Sequence, residues 1–551
     1  MRATHGTGLA ARTGIWAVVA TALVGNGVTH ADIVFVDIDA TGNDDGTTWE
    51  HAFVCLQDAL EDAQSGDTVG IAEGSYKPSQ CEQSATTDQT FLITTGVEVY
   101  GGFEGGESAR AERDPITHEA VLTGELTGSV NSYHVVTVGG YVSDTVLSGV
   151  EIRDGEADGT NEDAIGGGVL VQVDAGFVMS RCRIIENFAA MAGGGLGIDG
   201  FNYNTAPAIY NCDFVANECD TFGGGLANGK PLVVNSRFVG NAAWQGGGLY
   251  SFRYSANDGP SVVNSTFSHN HATGTSSNPG GGAYFFVFGG AESSVTNSVL
   301  WGNTDDNSGS DTEDEQLSGA DLVTYNCIEG LEEDGQYDSG DNVNNIGDDP
   351  EFIDDDGDDD TPGNEDDNLR LAFSSPAIDV AESDNIPIDL GDVDDDGNTS
   401  EVTPLDLDQS VRVVGDEVDM GSYEYPCDVQ AQADFDDDGD VDFADLLALL
   451  TAWGPCECEE DLNGDDEVDF DDLLILLSDW CTPDGSTIQD ALDCMGIDST
   501  CWDDMKDDLD TGSSQAQSDT ICWIEHYNDC HCPDVCVSGP GGCGDDPCGN
   551  H

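Results

Sequence analysis

Two loops between residues 434 and 480 place carboxylates at alternating positions, the pattern a hard cation requires. The first is Asp434-Phe435-Asp436-Asp437-Asp438-Gly439-Asp440-Val441-Asp442-Phe443-Ala444-Asp445, with oxygen donors at positions 1, 3, 5, 9 and 12 and glycine at 6. Calcium takes roughly six to eight oxygens, and this spacing wraps one loop around it. The second is Asp461-Leu462-Asn463-Gly464-Asp465-Asp466-Glu467-Val468-Asp469-Phe470-Asp471-Asp472, with Asp466 where the sharp turn wants glycine. The candidate ligands are Asp434, Asp436, Asp438, Asp440, Asp442 and Asp445 in the first loop, and Asp461, Asn463, Asp465, Glu467, Asp469 and Asp472 in the second. A pair of Asp-rich turns without metal is the alternative reading.

Each loop runs into an apolar helical stretch, Leu446 to Trp453 or Leu473 to Trp480, and the copies lie 27 residues apart. No helix-length segment precedes the first loop, and Asp rather than Glu stands at position 12 of both. This arrangement resembles a dockerin, the duplicated calcium module of cellulosome-type assemblies, in the variant whose repeats end in Trp-Gly or Trp-Cys. The resemblance implies calcium as cofactor and a cohesin-like protein as partner. Partner choice in that family leans on loop positions 10 and 11, commonly small hydroxyl residues, and here those are Phe443-Ala444 and Phe470-Asp471. Surface attachment or an intramolecular role is therefore equally open. Cys427 and Cys456 flank the first loop, and Cys458 and Cys481 the second. Disulfides in that connectivity would staple a module too small for much core.

The module must be carried by something, and residues 166 to 303 show what. Five copies of one phrase open with Gly166-Gly167-Gly168, Gly193-Gly194-Gly195, Gly223-Gly224-Gly225, Gly246-Gly247-Gly248 and Gly280-Gly281-Gly282, and close on Asn187, Asn217, Asn241, Asn270 and Asn303. The closing asparagines are 30, 24, 29 and 33 residues apart, enough for one coil of two or three short strands. Alternation in Val234, Ser236, Phe238 and in Val263, Ser265, Phe267 marks the inward face. Stacked coils would lie about 4.8 Å apart. Phe214, Phe238, Phe267 and Leu300 then form an inward column, and the asparagines a corner ladder. These repeats resemble right-handed parallel β-helix proteins of the polymorphic outer-membrane-protein or pectin-lyase-like type.

The expected fold is all-β: a right-handed parallel β-helix over residues 32–425 with end caps, a dockerin-like module at 426–481 and a Cys-rich, disulfide-stapled tail at 482–551. The amphipathic run Trp49 to Ala63 is the expected N-terminal capping helix, and the Asp-dense stretch 348–425 the expected closing cap. Inside it, Asp392-Val393-Asp394-Asp395-Asp396-Gly397 has the first half of a calcium loop, but position twelve is Thr403, so a solvated turn and a metal site are both open.

Residues 1–31 read as a secretory signal, with Arg2 and Arg12 before an apolar run from Ile15 to Val24 and a small-residue site at Thr29-His30-Ala31. Export permits disulfides, and 12 of 18 cysteines lie at or after Cys427. Cys522, His526, Cys530, His531, Cys532 and Cys536 can be drawn as a zinc cluster, but in an exported chain disulfides are the better reading. Lys and Arg total 14 against 109 acids, a formal charge of −95, which excludes phosphate-directed nucleic-acid binding. No later segment is apolar enough to span a membrane.

Many parallel β-helices cleave acidic polysaccharides, and the weak catalytic candidates here are Arg183, Asp213 and Arg237, in the same outward position of consecutive coils with Thr266. Alternating charges on neighbouring strands are also ordinary cross-strand pairing. The net charge further disfavours a groove for anionic sugars. Exposed aromatics such as Tyr203, Tyr250, Phe252 and Tyr254 offer stacking surfaces or cover loop cores. The first reading is a non-catalytic surface scaffold for adhesion or polysaccharide binding. The alternative is a polysaccharide lyase or glycoside hydrolase delivered by its dockerin.

Overall fold

A computed structural model describes residues 33 to 455, apart from short stretches that include 140–144, 173–176, 200–205, 255–258, 308–311, 428–432 and 436–440, and then a few positions up to 476. The chain is a parallel β-helix. Four parallel sheets run along it, of ten, nine, six and eight strands. One coil shows the plan: Ala208–Tyr210 lies in the first sheet, Asp213–Val215 in the second, Glu218–Cys219 in the third and Leu226–Ala227 in the fourth. Two or three strands per coil were expected, and the extra strand is the two-residue step between the asparagine and the glycine triplet.

The triplets make the corner into the fourth sheet. Gly223 has φ +63°, and a Cβ on Gly224 would lie 2.5 Å from the Gly247 carbonyl oxygen of the next coil. Only glycine allows both the turn and the approach. At the corner between the second and third sheets the asparagines form the expected ladder. Asn217 Nδ2 and its amide both donate to Asn241 Oδ1 at 3.0 Å, and Asn241 repeats this on Asn270, Asn270 on Asn303. Gln316 ends the ladder, accepting from Asn303 Nδ2 at 2.7 Å. Inside, Phe214, Phe238 and Phe267 stack with centroids 4.6 and 4.5 Å apart and planes within 2°. Cys182 and Cys212 are free, buried thiols that share a separate inward column, two residues before that of the phenylalanines.

The two ends depart from expectation. Trp49 to Ala63 is not one helix: Trp49–His51 is a single 3-10 turn, Phe53 bridges Val36 in parallel, and the α-helix is Leu56–Asp62. The Phe53 amide donates to the Phe35 carbonyl at 2.9 Å, so strand pairing overrides helical periodicity there. Leu56, Ala59 and Leu60 still pack into the start of the core. Cys55, just before the helix, is disulfide-bonded to Cys81.

At the far end the closing elements come before residue 348. Asn342 Oδ1 accepts from the Val323 amide at 2.8 Å, Asn345 Oδ1 from the Asn326 amide at 2.9 Å, and Tyr337 is buried in the core. These contacts blunt the last strand edges. Residues 350 to 425, nearly all of the 348–425 stretch expected as the cap, instead run back along the flank as a strap. They reach Arg113, 282 residues earlier in the chain.

Candidate functional site

The outward row on the second sheet is in register as expected: Arg183 pairs with Asp213, Asp213 with Arg237, and Arg237 with Thr266. The strap lies over it. Arg237, 6% exposed, makes a bidentate pair with Asp213 at 2.8 Å for both bonds and donates to the Asp367 carbonyl at 2.7 Å. Thr266 Oγ1 accepts from the Ser422 amide at 3.0 Å. Arg183 is less covered and touches Glu119 at 3.3 Å, Glu151 at 2.9 Å and Glu365 at 3.1 Å.

Much of this chain's scarce positive charge meets the strap. Arg113 holds Asp395 through Nε at 2.9 Å and Nη2 at 3.0 Å, Arg181 reaches Asp395 at 2.7 Å, and Arg110 pairs with Asp392. Burial, and then the neighbouring Arg113, lower Arg181 to about 10. The Tyr100 ring lies 4.9 Å from both the Arg110 and Arg113 guanidinium carbons, a cation–π contact.

A second column of asparagines, at the corner between the first and second sheets, binds the strap backbone. Asn235 Nδ2 donates to the Leu405 carbonyl at 2.8 Å and Asn297 Nδ2 to the Glu382 carbonyl at 3.0 Å. Asn211, Asn235, Asn264 and Asn297 hold φ between 46° and 53°, a left-handed turn that asparagine tolerates. Sequence reasoning missed them. Their signal is regular, an asparagine just before Cys212, Ser236, Ser265 and Ser298.

The fourth sheet carries a different surface. Tyr250 pairs with Tyr284 and Phe252 with Phe286 on adjacent strands, and the rings stack at 5.6 and 5.7 Å. Phe222 stacks on Tyr250 at 4.5 Å, and Trp244 meets Phe222 edge-on at 6.4 Å. The alternate residues Leu249, Ser251 and Phe285 point into the core. Trp244 and Phe286 are the open members, 39% and 38% exposed, whereas Tyr250 is 6% exposed. Tyr203 and the side chain of Tyr254 lie outside the described residues.

Of the expected calcium ligands, Asp445 and Asp472, the twelfth residue of each loop, are fully buried. Asp445 Oδ1 accepts from the Phe435 amide at 2.7 Å, closing the end of the first loop on its start beside Asp434. The helix after it is Phe443–Ala452, with Leu446, Leu449 and Leu450 buried. Glu467–Val468 pairs antiparallel with Gly454–Pro455. Asp436, Asp438, Asp440, Asp442, Asp461, Asn463, Asp465 and Asp469 lie outside the described residues, as does the Cys-rich tail.

No family model matches the chain, and no curated protein does. Among solved structures it is similar to pectate lyase Pel9A at 13% identity and a TM-score of 0.32, over 72% of this chain and 97% of that one. It is also similar to the rice weevil pectin methyl esterase at 12% identity and a TM-score of 0.23, over 51% of this chain and 76% of that one. Neither likeness bears on what this chain binds or does.

Proposed function

We propose that this chain is an exported, non-catalytic scaffold that binds carbohydrate through the aromatic strip of its fourth sheet. Residues 426–481 are read as a dockerin-like calcium module that attaches it to a cohesin-like protein or another cell-surface component. The observation that carries the reading is the strip itself: outward rings on consecutive coils, with Trp244 and Phe286 open to solvent. Flat ring faces stack on the apolar faces of sugars, and consecutive coils repeat the platform along a polymer. The surrounding charge of −95 favours a neutral polysaccharide over an acidic one.

For the module, the support is donor chemistry. The twelve candidate positions offer only oxygen, and the two position-12 carboxylates are withdrawn from water at the start of their helices. Calcium bound there would be held by these loops and would order the two helices that follow. Among the described residues no helix is long and apolar enough to cross a membrane.

The test is affinity electrophoresis of the full chain through gels containing neutral or acidic polysaccharides, with reducing and unsaturated ends assayed in parallel. Retardation by a neutral polymer, lost in Trp244→Ala with Phe286→Ala and without new chain ends, supports the reading. Release of new ends would overturn it.

A further inference from the structure

The strap carries a group of carboxylates that the arginine seam does not consume. Asp389, Asp394 and Glu401 each bring a carboxylate oxygen within 4.8 Å of the others, and Asp392, Asp394 and Asp396 do the same. Four acids therefore surround one shared residue, Asp394. Exposed acids often crowd in this way without consequence, but Asp389 is not exposed at all. Its Oδ2 accepts from the Val393 amide at 2.9 Å, and its Oδ1, shut off from water, has no hydrogen-bond partner. Glu401 Oε1 is in the same condition, while Oε2 accepts from Asn398 Nδ2 at 2.9 Å.

A buried carboxylate oxygen without a partner is costly, and neighbouring negative charge makes it more so. Among the described residues no basic side chain pairs with Asp389, Asp394, Asp396 or Glu401. Of the cluster's five acids Arg110 reaches only Asp392, and its Nε also meets Asp395 at 3.3 Å. A cation in the midst of these oxygens removes the conflict.

The backbone is already shaped for one. Asp392, Asp394 and Asp396 occupy alternate positions, and Gly397 follows with φ +85°. The Gly397 amide donates to Asp392 Oδ1 at 2.9 Å, closing the turn around its first carboxylate. Thr403 stands where a twelve-residue loop would place its last acid, and its hydroxyl is spent on the Pro387 carbonyl at 2.9 Å. Glu401, two residues earlier, and Asp389, three residues before the loop, bring oxygens to the cluster in its place.

We propose that residues 389–401 bind one calcium ion through Asp389, Asp392, Asp394, Asp396 and Glu401. The donor set is all oxygen and rich in carboxylate, which suits calcium's large, flexible coordination shell. Magnesium keeps most of its waters and takes one or two carboxylates. The site adjoins Asp395, which Arg113 and Arg181 hold, so the ion fastens the middle of the strap to the coils around Arg113.

Calcium bound per full-length chain, counted by equilibrium dialysis against radioactive calcium, tests this. One variant disables the tandem loops with Asp434→Ala and Asp461→Ala. A second adds Asp389→Asn and Glu401→Gln, and a third instead adds Asp394→Asn, at a partly exposed position that leaves the buried wall intact. Near-ultraviolet circular dichroism monitors folding. The loop-disabled chain is expected to retain one ion, which both added sets remove while the fold persists. A loop-disabled chain that binds no calcium, or one whose calcium survives Asp394→Asn, overturns the proposal. So does displacement of the ion by an equal concentration of magnesium. Because the count is made with the tandem loops disabled, its failure is distinct from failure of the attachment reading.

Discussion

The two flanks of this solenoid are built from the same repeat and end in opposite states. On the second sheet the outward row includes Arg183, Asp213 and Arg237, and a strap of 76 residues, numbered 350 to 425, lies over it and is held through arginines and asparagines. On the fourth sheet two adjacent strands turn Tyr250, Phe252, Tyr284 and Phe286 outward, and Phe286, with Trp244 from the step before the glycine triplet, stays open. Charges on a parallel sheet are not by themselves an active site. Here they hold another part of the chain, and the surface proposed to bind a ligand is the uncharged one.

Breaking the buried side of that contrast should have the largest effect. Arg237→Ala leaves Asp213 buried without its bidentate partner, and should cost about 3–5 kcal/mol, read by denaturant unfolding of the full chain. Asn241→Ala removes one ladder rung and leaves the Asn217 amide and one of its two Nδ2 hydrogens without an acceptor, for about 1–3 kcal/mol. Arg183 stands in the same row as Arg237, but its side chain is 38% exposed. Its loss should cost under about 1 kcal/mol. Equal effects of the two arginine variants would mean that the strap does not cover the row unequally as described.

The strap should also respond to pH. Burial, and then the charge of Asp408, raise Asp406 to about 6 from its ordinary 3.8. A carboxyl with a raised folded value contributes stability that is full below its ordinary value and lost as pH rises through the raised one. Asp406 accepts from the Glu424 and Ser410 amides at 2.9 Å. Melting temperature in chelator is therefore expected to fall between about pH 4 and pH 6, and Asp406→Asn should flatten that slope. The smallest stability effect belongs to the open flank: Trp244→Ala should stay within about 0.5 kcal/mol of the parent, while Trp244→Ala with Phe286→Ala abolishes polysaccharide retardation.

What could be read from sequence was what repeats locally. Asn217, Asn241 and Asn270, and Phe214, Phe238 and Phe267, recur at intervals of one coil, so their stacking follows from strand spacing alone. The strap was illegible because its contacts are long-range and often to backbone. Arg113 meets Asp395 across 282 residues, and Asn235 meets the Leu405 carbonyl, which leaves no mark in the residue type. The aromatic strip was half legible: Tyr250 and Phe252 were visible as alternating aromatics, but their partners Tyr284 and Phe286 needed the register between coils. The segment 49 to 63 was misread because periodicity cannot see that Phe53 bridges Val36, its amide bonding the Phe35 carbonyl.

The strap covers the charged row of the second sheet. Hydrogen exchange of the intact chain, read by mass spectrometry on peptides spanning 365–372 and 419–425, tests it most directly. The account predicts exchange there as slow as in the core strands Asp213–Val215 and Arg237–Val239. Exchange at the rate of the surface loops would contradict it, leaving Arg183, Asp213 and Arg237 facing solvent as a catalytic row would.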